Sequence, residues 1–230
     1  MSTVTRYKVK EIFYTLQGEG AQAGRPAVFC RFSKCNLWNG REDSRALSIC
    51  NFCDTDFNGT DGQNGGVYNK EQLSEKIAAL WPSMQQGQPY VVCTGGEPLL
   101  QLDKPLIDAL HQAGFEVGVE TNGTLPAPNG IDWLCVSPKG VAEVVITRCH
   151  ELKLVYPQPN ALPEKYDFIQ AKHYYLQPMA DYRPQLLTSD HLAASLAGLS
   201  AGNTQITVAY CLAHPKWKLS LQTHKYLRIE

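Results

Sequence analysis

The chain has 230 residues, with 21 basic and 22 acidic side chains and a formal charge of −1. A chain of that length buries roughly 70–75% of its unfolded surface and needs no disulfides to stabilise one core. Charge this evenly balanced excludes a nucleic-acid binder that works by neutralising phosphates, and 43% hydrophobic content excludes a disordered chain. No apolar run reaches the ~18 residues that span a bilayer, and MSTVTRYKVKEIF lacks the apolar core of an export signal, so a soluble, cytoplasmic protein is expected, with no membrane or nucleic-acid partner.

In chain order, 27–32 (AVFCRF) reads as a strand, and a long irregular segment, about 33–66, follows it. Long irregular segments in compact domains tend to be functional. Asn69 is placed to cap a helix, with Gln72 completing a capping box and Leu73, Ile77, Leu80 and Trp81 at helical spacing before Pro82. A strand at 90–93 (YVVC) runs into TGGEP, and a helix over about 103–113 ends at Gly114. Further strands are expected at 115–120 before TNG, at 133–136 before SPK, at 152–156, and at 174–176 before QPM. Helical material around 191–199 and 204–214 precedes a last strand at 218–221. Strands that alternate with helical or irregular connections predict a parallel α/β sheet. The polar motifs all fall at strand C-terminal ends, the edge where such sheets bind ligands, so one site built from several strand ends is expected.

Eight cysteines without an export signal point to metal or redox chemistry in a reducing compartment. Cys35, Cys50 and Cys53 form C-x14-C-x2-C inside the irregular segment. Three thiolates can hold a [4Fe–4S] cluster with one iron left open for a second molecule. With Cys30 as a fourth ligand the spacing also approaches that of structural zinc. Cys30 lies mid-strand, where a small buried residue is the plainer reading, with Arg31 on the opposite face.

Phe52 before the last cysteine, together with Thr94-Gly95-Gly96-Glu97-Pro98 at a strand end, resembles the radical S-adenosylmethionine (SAM) superfamily. YTLQGEG (14–20), CNFCDTDF (50–57), CTGGEP (93–98), ETNG (120–123), VSPK (136–139), LQPM (176–179) and QTHKYL (222–227) narrow the resemblance, over nearly the whole chain, to the 7-carboxy-7-deazaguanine synthase family. That resemblance implies a single radical-SAM domain over 1–230. Its fold would be a partial, modified (β/α) barrel of about six parallel strands, with a cluster-binding loop at about 33–66. It also implies a lyase that converts 6-carboxy-5,6,7,8-tetrahydropterin to 7-carboxy-7-deazaguanine with loss of ammonia, in queuosine-type biosynthesis. A radical derived from SAM would begin the reaction, and a flavodoxin-like or other donor would reduce the cluster of a homodimer.

Carried onto this sequence, the resemblance makes Cys35, Cys50 and Cys53 the cluster ligands and Thr55 the protein ligand of Mg²⁺. Phe52, Cys53 and Asp54 are expected along SAM, with Gly96 near its methionyl end and Glu97 paired with its ammonium. Ser137, Pro138, Lys139, Gln177, Pro178 and Met179 are the remaining expected SAM contacts. Leu16, Gln17, Gly18, Glu19, Arg31, Thr94 and Glu120 are expected around the pterin, with Glu230 closing the pocket. Two other functions fit parts of the pattern: an activase of a protein partner, which leaves LQGEG and QTHKYL without a role, and a zinc-stabilised binding module, which requires Cys30 as ligand.

Overall fold

The computed structural model describes residues 5–83, 86–180 and 201–229. Its nine strands form one sheet in the order β3-β1-β2-β4-β5-β6-β7-β8-β9. β2 (Pro26–Phe32), β4 (Tyr90–Gly95), β5 (Glu116–Thr121), β6 (Trp133–Val136), β7 (Arg148–Tyr156), β8 (Gln170–Pro178) and β9 (Lys218–Leu219) run parallel. Each corresponds to a strand expected from the sequence, one more than the about six of the barrel that the resemblance implies. β1 (Tyr7–Leu16) and β3 (Gly66–Tyr68) add an antiparallel edge, so the sheet is mixed and not purely parallel.

The helices follow from local signals. α1 (Lys70–Ala78) has Asn69 as N-cap with the reciprocal Gln72 bond of a capping box. α2 (Lys104–Gln112) is capped by the Asp103 carboxylate, which accepts from the Leu106 amide and from the Tyr7 hydroxyl. α3 (Ala201–Ala213) agrees with the helix expected at 204–214, and a short α4 (Thr223–Leu227) follows β9. The helical reading at 191–199 lies outside the described residues.

Strand alternation sorts the two faces of the sheet. Val28, Cys30 and Phe32, then Val91 and Cys93, Val117 and Val119, Leu134 and Val136, Leu152 and Leu154 form the main core with Leu73, Ile77, Leu106, Ile107 and Leu110 of α1 and α2. The opposite parity carries Arg31, Thr94, Glu120, Glu151, Lys153 and Gln177. This face is concave. β1 and β9 are seven ladder steps apart, roughly 34 Å in a flat sheet at ~4.8 Å per step. Yet the Gly20 amide, after β1, donates to Ser220 Oγ, after β9, at 2.9 Å, and the Thr223 amide donates to the Gly18 carbonyl at 2.9 Å. The Ala21 amide likewise reaches Glu151 Oε2 on β7 at 2.9 Å. The sheet therefore curls until the segment after β1 meets β7 and the chain beyond β9.

Candidate active site

The concave face holds a cavity of about 440 Å³, and most of the expected site residues line it. From the segment at the end of β1 come Leu16, Gln17, Gly18 and Glu19; from β2, Arg31; from β4, Thr94 and Gly96. β5 contributes Glu120, the turn after β6 Ser137 and Lys139, and the end of β8 Gln177, Pro178 and Met179. The loop between β2 and β3 adds Cys35, Cys50, Phe52, Cys53, Asp54 and Thr55.

The three cysteines are free thiols in one small cluster with Leu37, Phe52 and Ala142. The Cys50 thiol bonds to Cys53 and holds its pKa down to about 6 against the opposing effect of burial. The same bond, with burial, pushes Cys50 up, and burial pushes Cys35 up. Lys139 adds positive charge beside Cys50 and Cys53, while its Nζ bonds the Ser137 carbonyl and Oγ at 2.6 Å. Among the described residues, no three His, Cys, Asp or Glu converge on a point that one metal ion could occupy. Cys30 is fully buried in the main core, which removes the fourth ligand of a zinc site.

Gly96 shows why the motif needs glycine. A Cβ there would lie 2.2 Å from the Lys34 carbonyl oxygen. The Gly96 and Glu97 amides donate to the carbonyls of Phe32 and Lys34, so this strand end is laced to the segment that leads into Cys35. Glu97 sits behind it. Its side chain is fully buried and accepts from the Leu99 amide (2.9 Å), Thr121 Oγ1 (2.7 Å) and the Asn122 amide (2.8 Å). Burial raises its pKa. Glu97 lies behind the cavity wall and not in its lining, with three of its roughly four acceptor sites occupied. Pro138 is buried and not part of the cavity lining, and its carbonyl accepts from the Gln158 side-chain amide at 3.3 Å. Glu230 lies outside the described residues.

The deepest part of the cavity is ionic. Lys153, almost wholly buried, bonds Glu19 at 2.5 Å and Glu120 at 3.3 Å. Burial works against the charge of both Lys153 and Glu19, but their attraction outweighs it. The Lys153 pKa rises, and that of Glu19 falls to about 2. Gln222 and Gln177 donate to the other Glu19 oxygen at 2.9 and 3.2 Å, and Gln17 donates to Glu120 at 3.1 Å. Arg31 gives its Nε to Glu11 at 2.7 Å. α4 closes one side: His224 packs on Gly18, and Lys225 pairs with Asp54 at 2.7 Å.

No protein-family model matches the chain. A 7-carboxy-7-deazaguanine synthase of Bordetella pertussis is 56% identical over 224 residues, which cover 97% of this chain and 99% of that protein. One of Caulobacter vibrioides is 55% identical over 222 residues, covering 96% and 98%. The chain belongs to the 7-carboxy-7-deazaguanine synthase family. The crystal structure of QueE from Escherichia coli matches the fold with a TM-score of 0.63 at 25% identity, over 94% of this chain and 93% of that one. Several residues of the synthase cavity escape motif reading. Lys153 carries a signal nonetheless, since ELKLVY puts Glu151 and Lys153 at alternate positions of an otherwise apolar strand. Gln158, behind the cavity lining, accepts from the Gly140 amide and fixes the turn after β6; it carries no such signal.

Proposed function

We propose that this cavity converts 6-carboxy-5,6,7,8-tetrahydropterin to 7-carboxy-7-deazaguanine with loss of ammonia, a lyase step in queuosine-type 7-deazapurine biosynthesis. The observation that carries the reading is the meeting, in one cavity, of three free thiols, the glycine-rich end of β4 and a recess lined by two carboxylates. The thiols fit a [4Fe–4S] cluster: three ligands from one loop, a cation beside two of them, and one thiol held toward its ionised, ligating form. Cluster thiolates bind different irons, so their sulfurs need not converge on one point. With SAM, that cluster supplies the electron and the radical that begin the reaction.

The chain's own residues bind and orient. Cys35, Cys50 and Cys53 hold the cluster. Phe52, Asp54, Ser137, Lys139 and the 177–179 strand end line the SAM side, and Gly96 lets the backbone approach the methionyl end. Glu97 and Pro138 act from behind, Glu97 by tying the 121–122 turn to the end of β4. Glu19 and Glu120, aligned by Lys153, take the guanidine-like edge of the pterin, an arrangement suited to carboxylates. Leu16, Gln17, Gly18 and Thr94 face the ring. The remaining guanidinium donors of Arg31 fork onto the substrate carboxylate. Thr55 would hold Mg²⁺ through its hydroxyl, and the ion would orient the substrate and draw charge from it.

Residues 1–230 form one domain in this reading, a partial barrel with its cluster loop at about 33–66. The protein works in the cytoplasm as a homodimer, reduced by a flavodoxin-like donor. Among the described residues no helix is long and apolar enough to cross a membrane. Iron and sulfide analysis after anaerobic reconstitution tests the reading: about four irons per chain are expected, and C35A must lose them. Retention of the full complement in C35A contradicts it.

A further inference from the structure

The fourteen-residue spacer between Cys35 and Cys50 is built around one side chain. Residues Glu42–Leu47 form a 3-10 turn, from which Arg45 folds back toward the cysteines. Its Nε and one terminal nitrogen fork onto Glu42 at 2.7 and 2.6 Å. The other terminal nitrogen donates to the carbonyls of Cys53, at 2.8 Å, and Asn51, at 3.2 Å. The guanidinium lies 4.0 Å over the Trp38 ring, and Trp38 is itself held edge-on against Phe57 and by its indole bond to the Arg41 carbonyl. Although the loop is at the surface, the Arg45 side chain is only 14% exposed.

A planar guanidinium can meet a carboxylate, a ring and two carbonyls at once because its donors diverge in a fixed plane; an ammonium cannot. Its two carbonyl acceptors belong to the CNFC turn, one of them to Cys53 itself. We propose that Arg45 is a positioning residue for the cluster: braced by Glu42 and Trp38, it fixes the Asn51–Cys53 backbone so that Cys50 and Cys53 present their sulfurs together. The long spacer is then a prebuilt brace for the ligating turn. This inference rests on reading Cys35, Cys50 and Cys53 as cluster ligands.

The test compares wild type, R45A, R45K and C50A after anaerobic reconstitution, following iron release to a chelator and the EPR spectrum of the reduced cluster without SAM. Supporting-shell residues of metal sites typically change metal affinity about 10–100-fold. R45A and R45K are both expected to release iron at least about tenfold faster, with an altered EPR line shape, while the apoproteins melt like wild type. R45K keeps the charge and the stem over Trp38, so it decides the matter if R45A fails to fold. Wild-type release from R45K overturns the proposal, as does faster release with an unchanged spectrum. A wild-type cluster signal in C50A instead overturns the ligand assignment beneath it.

Discussion

Lys153 is the residue on which the ionic recess of the cavity turns. It neutralises two carboxylates that would otherwise repel each other in a largely buried recess. Removing one partner from a buried ion cluster leaves uncompensated charge, at a cost of about 3–5 kcal/mol. Lys153→Met is therefore expected to lower unfolding free energy in urea by about 3 kcal/mol and to abolish turnover. Its partner makes a pH prediction. The Glu19 carboxyl moves from an ordinary 4.5 down to about 2 on folding, because Lys153 outweighs burial. A depressed carboxyl adds stability above its unfolded pKa and loses it as pH falls through the folded one. Stability of the wild type should accordingly drop between pH 4.5 and pH 2 more steeply than that of E19Q, by on the order of 2–3 kcal/mol in all. Parallel slopes in urea titrations across that window would contradict the ion-pair account. Glu19 and Glu120 stand in motifs and Lys153 is a charged position in an apolar strand, but their meeting depends on strand parity that sets Lys153 beside residues 134 and 33 positions earlier in the chain.

At the level of elements, local chemistry predicted most of what formed. The Asn69–Gln72 capping box, the helix ending before Gly114 and the strands leading into TGGEP, SPK and QPM are all short-range signals, and all appear in place. β1 was not read from the sequence, because YKVKEIFYTL mixes alternation with a continuous apolar stretch. Its antiparallel pairing with β2 depends on a long-range register that no local pattern encodes. Asp103 shows how such pairing is reinforced, since it caps α2 while accepting from Tyr7 on β1. D103A removes a cap and strands a nearly buried hydroxyl, so a loss of about 2 kcal/mol is expected in chemical denaturation. α4 is coupled to the site through Gly18, where a Cβ would fall 2.2 Å from His224 Nδ1. His224 is a side chain that can swing away, so G18A should leave the fold intact while loosening α4. The expected readout is faster amide exchange over 222–227 and a raised KM for the pterin; unchanged exchange would show that α4 is held elsewhere.

For the molecule as a whole, what was legible was what chemistry constrains. A three-thiolate cluster loop, a glycine that must let backbones touch, and polar strand ends have few alternative spellings, and their order along the chain carried the family resemblance. The curl of the sheet was not legible, because it arises from contacts such as Gly20–Ser220 that join the ends of the ladder. Glu97 marks the boundary between the two. Its presence in TGGEP was readable, but its burial beneath Thr121 and Asn122 was a property of packing. The proposed ring contraction requires one cavity to bring cluster, SAM and pterin together. The direct test is a single anaerobic reaction of reconstituted protein with SAM, reductant, Mg²⁺ and 6-carboxytetrahydropterin, read by mass spectrometry. The account predicts 7-carboxy-7-deazaguanine, formed in step with ammonia. Formation of 5′-deoxyadenosine without that product would contradict the assigned substrate, and the absence of both from an iron-loaded protein would contradict the catalytic reading itself.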